Sequence, residues 1–328
     1  MYMMSNYDNK NNEEKNRKAF EAAQAEASAG NLVGLNRLGM YYLRGIGCEP
    51  NQEMAFKYVM QAENGGFASA LYNLGGFYAD GIGCRQDKHM SFHCFYQGAL
   101  AGDLDCVVKV GVHLLAGVGC RKDEAQAYEL FKIAAKAGNA EGMNRLGLAY
   151  ESGLGCTQDH QAAVEWFRKA ADNGYVDALY NLGIMYQRGR GCEKDDNKAF
   201  QYFYQAARAG QSDSMMKVAK AYGTGIGCEM DVEESARWVV KAADSGNPEA
   251  LRVKGMALEE RDGEEYTIQA AECYIKAAEN NDAFSLYKVG GYFETGKFVA
   301  KDMDRARMLY QRAAELGCRE ARQRLAEM

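Results

Sequence analysis

Ten cysteines occur in this chain, and six of them close the same string. Gly-x-Gly-Cys stands at Gly45–Cys48, Gly81–Cys84, Gly117–Cys120, Gly153–Cys156, Gly189–Cys192 and Gly225–Cys228, 36 residues apart each time. Such a ladder of thiols could bind metal or cycle through disulfides. Equivalent atoms in stacked helical units lie about 8–10 Å apart, whereas a disulfide needs Cα atoms within about 7 Å. The loop cysteines are therefore expected to be reduced and largely buried, each filling a small pocket as a free thiol does. Cys94 and Cys106, on successive helices, are the one pair to check for bonding. His89 and His93 are four residues apart with Cys84 and Cys94 nearby, a spacing able to hold zinc on a helix. No other copy repeats that spacing and His89 follows a polar stretch, so a solvated face is expected and no metal.

Ser214-x-x-Lys217 and Ser285-x-x-Lys288 match the Ser-x-x-Lys of penicillin-interacting enzymes. Both fall at one position of the 36-residue period, and no Ser-Asp-Asn or Lys-Thr-Gly accompanies them. The Gly-x-Gly strings precede an acidic or amide residue rather than Lys-Ser/Thr, so they do not read as phosphate loops. No catalytic residue and no cofactor are expected, and a hydrolase such as a β-lactamase is disfavoured. The chain has 328 residues, 47% hydrophobic, with 45 acidic against 39 basic side chains and a net charge of −6. That balance argues against a nucleic-acid surface. No apolar run approaches the roughly 20 residues of a membrane helix, and the N-terminal stretch lacks an apolar signal core; the expected location is cytoplasmic. Residues 1–13, rich in Asn and Lys, read as a disordered polar tail.

The elements that position these residues follow from the period. A Leu-Gly-like pair precedes each loop, as at Leu38-Gly39, Leu74-Gly75, Val110-Gly111, Leu146-Gly147, Leu182-Gly183 and Val218-Ala219. An alanine-rich segment follows each loop and ends in glycine, at Gly66, Gly102, Gly138, Gly174, Gly210 and Gly246. Leu179, Leu182, Gly183 and Tyr186 share one helical face. Gly189 ends that helix, and Asp195 stands where a second helix needs its N-cap. Each period therefore predicts an antiparallel helix pair, with units 31–66, 67–102, 103–138, 139–174, 175–210, 211–246, 247–281 and 282–317 and a half unit at each end. The seventh unit loses the loop and one residue and carries the polar run 259–265, so it is expected to be a weak joint. Units one to three correspond to units four to six at an offset of 108 residues, which implies duplication of a three-unit block. A lone helix pair cannot bury its apolar face, so residues 14–328 are expected to form a single stacked array.

Leu182-Gly183-Ile-Met-Tyr186-Gln-Arg-Gly189-Arg-Gly191 and Ala163-Val-Glu-Trp166-Phe167-Arg-Lys169-Ala170-Ala171 resemble the Sel-one-like repeat family, a relative of the tetratricopeptide repeat. The resemblance covers roughly 14–328 and departs from the family in placing cysteine, not valine, after Gly-x-Gly. It implies an all-α fold: a right-handed α/α superhelical solenoid of about eight 36-residue helix-hairpin repeats. It also implies an adaptor or scaffold without catalytic residues.

In related repeats one face of the first helix lines a concave groove. Here that face carries Asn36, Tyr72, Asn144 and Tyr180 two positions before the Leu, Asn73, Lys109, Arg145, Asn181 and Lys217 just before it, and Val112, Leu148 and Ile184 after the Gly. An acidic row, including Asp105, Glu141 and Asp213, lies beside them. Glu141 with Arg145 and Asp213 with Lys217 are spaced to form salt bridges within one helix. The remaining apolar track is expected to hold a protein or an extended peptide, with Asn73 and Asn181 gripping its backbone. An immunity protein neutralising a toxin is the sharper alternative. A helical-repeat RNA binder is the alternative of another class.

Overall fold

A computed structural model describes residues 2–328 of the chain, with side chains described from residue 12 onward. Eighteen helices and no strand are present among the described residues. The first, α1 (Tyr2–Ser28), begins inside the segment expected as a polar tail; the side chains of residues 1–11, and residue 1 altogether, lie outside the described residues. Helix pairs follow: α2 (Leu32–Arg44) with α3 (Gln52–Asn64), α4 (Ala70–Asp80) with α5 (Lys88–Leu100), α6 (Leu104–Ala116) with α7 (Glu124–Lys136), and α8 (Ala140–Ser152) with α9 (His160–Asp172). Next come α10 (Val176–Arg188) with α11 (Asp196–Arg208), α12 (Ser212–Thr224) with α13 (Val232–Asp244), α14 (Pro248–Glu259) with α15 (Glu264–Glu279), and α16 (Ala283–Thr295) with α17 (Met303–Glu315); α18 (Arg319–Glu327) stands last. The chain divides into two compact bodies, Met1–Gly174 and Tyr175–Met328. Within each body every helix packs on its chain neighbour, as stacked helical repeats do.

Each boundary has a local cause. In the first body, Asp87, Asp123 and Asp159 cap the second helices by accepting hydrogen bonds from Met90, Gln126 and Ala162 N–H. Asp195 and Asp231 do the same in the second body, for Lys198 and Glu234 N–H. The first glycine of each loop ends a first helix in the left-handed conformation, as at Gly117 with φ 67°. The second glycine has a further reason. Gly119 has φ 68°, and a Cβ there would overlap the carbonyl oxygen of Lys88, the first residue of α5 in the preceding repeat. Gly227 stands in the same relation to Asp196 at the start of α11. Glycine at this place therefore sets how closely successive repeats approach.

The glycine after each core Leu sets the spacing within a pair. A Cβ on Gly75, Gly111 or Gly147 would come within 2.5–2.7 Å of the ring of Phe95, Phe131 or Phe167. Those three phenylalanines are buried. In the second body the ring of Phe203 lies on Gly183 and that of Tyr310 on Gly290. Repeat six carries Ala219 instead. Its second helix presents Val239 where a ring would stand, and Ser235 Oγ donates to the Ala219 carbonyl at 2.8 Å.

Repeat seven replaces its missing loop with a short turn. Its second helix has 16 residues where the others have 13, and it begins directly after Gly263, whose φ is 133°. The stretch 259–265 is exposed throughout. Glu259 is not idle: it accepts from the Tyr274 hydroxyl at 2.9 Å and pairs with Lys288 of repeat eight at 2.7 Å. Glu294 repeats the motif, accepting from Tyr310 at 2.7 Å and pairing with Arg324.

Two outcomes follow from these contacts. Gly147→Ala forces a methyl group against the Phe167 ring, and overpacking of this kind costs about 1–3 kcal/mol; chemical denaturation should show a lower midpoint, and an unchanged one contradicts the close-contact account. Hydrogen exchange should open residues 260–266 before residues 180–188, because an exposed turn with few apolar contacts unfolds locally first. Equal protection would show that the Glu259 bridge compensates fully.

Candidate functional site

The expected groove residues fall in both bodies: Asn36, Tyr72, Asn73, Lys109, Val112, Asn144, Arg145 and Leu148 in the first, and Tyr180, Asn181, Ile184 and Lys217 in the second. In the first body the structure brings several together. Asn73 Nδ2 donates to Asn36 Oδ1 at 3.0 Å, so this amide pair ties repeat two to repeat one. The Tyr72 ring lies edge-on to Phe95 at 5.9 Å. Lys109 and Arg145 both reach Glu141, at 3.2 and 3.1 Å. Asn144 is buried, while Val112 and Leu148 remain half-exposed. In the second body, Tyr180 and Lys217 share the Phe203 ring, at 5.7 Å between ring centroids and 6.0 Å from the ammonium. Ile184 is half-exposed beside them. Neither Asn144 nor Asn181 is without a partner.

The two salt bridges expected within single helices divide. Glu141 does pair with Arg145. Asp213 instead accepts from Asn247 Nδ2 at 2.9 Å. The reason is the cap of the next repeat: Asn247 Oδ1 accepts from Ala250 N–H at the start of α14, which leaves its amide protons aimed at the preceding repeat. Asn139 does the same in the first body, capping α8 at Gly142 and donating to Asp105 at 2.7 Å. Lys220 with Glu249 at 2.8 Å and Arg252 with Asp282 at 3.2 Å continue the pattern. The charged rows thus largely face each other between repeats. Lys217 has no carboxylate partner among the described residues, and burial pushes its ammonium below the usual lysine range.

The structure adds residues that the sequence reading did not single out. A cavity of 210 Å³ in the first body opens between α7 and α8, walled by Tyr128, Phe131 and Leu154, with Ala149 beneath and Arg145 and Glu124 at the rim. A cavity of 180 Å³ in the second body opens between α11 and α12, with Phe200, Phe203, Ile226, Ala221, Lys217 and Asp196 in the same places. Every lining residue of one lies 72 residues from its counterpart in the other. Aligning the repeats exposes the cause. The position two after the core glycine is Phe77 in repeat two and His113 in repeat three, but Ala149 and Ala221 in repeats four and six. Phe77 lies 6.4 Å from the Phe56 ring, and His113 lies 6.1 Å from Phe92 and 5.4 Å from Phe95. Those side chains fill the space that alanine leaves open.

The six loop cysteines are half-buried, not largely buried as expected. Each loop sits at the end of its helix pair, so one side of the thiol faces the helix and the other faces outward. Cys48, Cys84 and Cys156 donate to the last-turn carbonyls of Tyr41, Phe77 and Ala149 at 3.5–3.7 Å. Cys94 and Cys106 are buried free thiols; desolvation pushes them up to about 11 and about 12. His89 Nδ1 lies 2.9 Å from the Gly119 carbonyl oxygen of the next loop, and His93 is exposed. No metal-ligand cluster occurs among the described residues. Ser214 and Ser285 are fully buried, and their hydroxyls have no partner.

Comparison with known proteins places this architecture. The Sel1 repeat model matches residues 33–66, 68–103, 105–139, 140–175, 176–211, 212–247, 259–282 and 283–318, so only repeat seven is matched in part. The crystal structure of c5321, described as a protective antigen present in uropathogenic Escherichia coli strains and displaying an SLR fold, is 30% identical with a TM-score of 0.59. That match covers 93% of this chain but 66% of the antigen, so the chain spans a little under two thirds of that protein. A Sel1 repeat protein from Oxalobacter formigenes is 26% identical with a TM-score of 0.60, over 94% of this chain and 89% of the other. No curated protein matches the chain.

Thiol chemistry provides a check with a defined sign. A thiol whose folded value is raised stabilises the fold fully below its ordinary value near 9, and that contribution is lost as the pH rises through the folded value. The denaturation midpoint should therefore fall between about pH 9 and pH 11 in the parent. The double variant Cys94→Ala with Cys106→Ala should fall less steeply; identical profiles would show that these thiols do not carry the effect.

Proposed function

We propose, from the premise that this chain belongs to the Sel1 repeat family, that it is a non-catalytic protein–protein interaction scaffold. Its partner lies on the first-helix faces. One observation carries the reading: the charges on those faces are largely satisfied between repeats, whereas Val112, Leu148, Tyr180 and Ile184 stay half-exposed. Polar groups already paired gain little from a partner, but apolar area still open to water gains about 25 cal/mol per Å² when covered. The Ser-x-x-Lys serines favour the non-catalytic reading, because a fully buried hydroxyl presents no nucleophile to a substrate. No helix among the described residues is long and apolar enough to cross a membrane. Asn73 enters as part of an inter-repeat tie rather than as a free hand for a partner's backbone. Inhibitory binding of a toxin is a finer form of the same reading and uses the same face.

Affinity capture from native lysate tests it. Val112→Asp with Ile184→Asp places a carboxylate on the first-helix face of each body without touching the core Leu-Gly positions. A bound partner should weaken at least about tenfold, which is roughly 1.4 kcal/mol. Ile133→Asp with Val240→Asp, two exposed second-helix positions, should leave binding unchanged. The reverse outcome would move the partner to the second-helix face and overturn the site.

A further inference from the structure

The two cavities at Ala149 and Ala221 are the same feature built twice, once in each body. Their volumes of 210 and 180 Å³ fall below the roughly 300–1,000 Å³ of small-molecule sites. Each is the size of one side chain, and the chain itself shows what fits: in repeats two and three, Phe77 and His113 occupy the equivalent space. Tyr128 and Phe131, or Phe200 and Phe203, give each cavity aromatic walls, which favour an apolar occupant.

Each rim carries a basic side chain, Arg145 in the first body and Lys217 with Lys220 in the second. In the first body Lys109 and Arg145 share the single carboxylate of Glu141, while Glu124 at the opposite rim is held by Lys122 at 2.7 Å. In the second body Lys217 has no carboxylate partner among the described residues, and Asp196 is held by Lys194 at 3.1 Å. Arg145 therefore has only a shared carboxylate, and Lys217, with Glu249 and Asp213 in its neighbourhood, forms no direct ion pair among the described residues. A partially desolvated cation beside an apolar pocket favours a carboxylate next to an apolar group.

We propose that the Ala149 and Ala221 cavities are two equivalent anchor sites for a protein partner, each receiving one apolar side chain flanked by an acidic residue. The inference rests on the scaffold reading and specifies the partner's chemistry. Cavity depth selects the anchor, and the rim cation selects its neighbour. Each body binds its own anchor.

The experiment uses the full chain with alanine methyl groups labelled for NMR, read at Ala127 and Ala199 in the walls of the two cavities. The probe is the end-capped peptide Asp-Asp-Leu-Asp-Asp, titrated to concentrations on the order of 1 mM, as one anchor alone warrants. Both methyls should shift. The peptides with Ala in place of Leu, or Lys in place of Asp, should bind at least about tenfold more weakly. Ala149→Phe, or Ala149→His where the larger ring disturbs folding, should abolish the response at Ala127 and leave Ala199 responding. Ala221→Phe or Ala221→His should do the converse. In the titration, three results overturn the proposal: no shift with the leucine peptide, equal shifts with all three peptides, or an undiminished response in the filled variants. The captured partner separates the two readings. If Ala149→Phe with Ala221→Phe binds it as well as the parent while Val112→Asp with Ile184→Asp does not, the anchor sites fail and the scaffold stands.

Discussion

A second-helix side chain, most often a ring, seated against a first-helix glycine sets how near the two helices of a pair can come, and the rest of each body depends on that distance. With Phe131 seated on Gly111 or Phe203 on Gly183, the alanines around them pack with almost no exposure. Close packing of this sort leaves no slack for an added methyl. The same rings then serve a second purpose. One side of Phe131 and Phe203 meets the glycine, and another side lines a cavity. The contact that builds the pair therefore also shapes the surface.

Between pairs the logic is polar and backbone-based. The second loop glycine lets the chain rest on the first carbonyl of the preceding second helix. Asparagine N-caps hold their own helix with oxygen and the previous repeat with nitrogen, as Asn139 and Asn247 do. Each such half-exposed polar contact is worth little alone, about 0–1 kcal/mol for the ion pairs. They recur at several joints, as between repeats three and four, six and seven, and seven and eight, and their larger effect is on what remains. By pairing with each other they withdraw most charges from the first-helix face. Apolar positions are left for a partner, beside Lys217, which forms no ion pair among the described residues, and Arg145, which shares its carboxylate with Lys109.

The cavities show how a repeat protein acquires local character. The pair geometry is nearly constant, so one side chain decides whether the space between neighbours is filled or open. Phe77 and His113 fill it; Ala149 and Ala221 do not. Small-to-large exchange at one repeat position changes the surface without changing the fold, because each repeat touches only its neighbours. The cysteines make the complementary case. Their regular spacing invites a chemical reading, yet their surroundings are half-buried loop ends where the thiol meets a helix carbonyl.

The helices and their ends were legible in the sequence because they depend on residues close together in the chain. Glycine at a left-handed C-cap, aspartate at an N-cap and a leucine stripe at helical spacing act locally, and a 36-residue period repeats that local information until it is unmistakable. The pairing of Glu141 with Arg145 belongs to this class, since both lie on one helix. Asp213 does not, because its partner Asn247 is 34 residues away and is aimed by its own capping bond. Lys109 reaching Glu141 and Asn73 reaching Asn36 likewise depend on how neighbouring repeats approach. So do the cavities: Ala149 and Ala221 read as ordinary core alanines until the rings around them are in place. Their emptiness belongs to the space between two helices, and the distance between helices is decided only when the chain is packed.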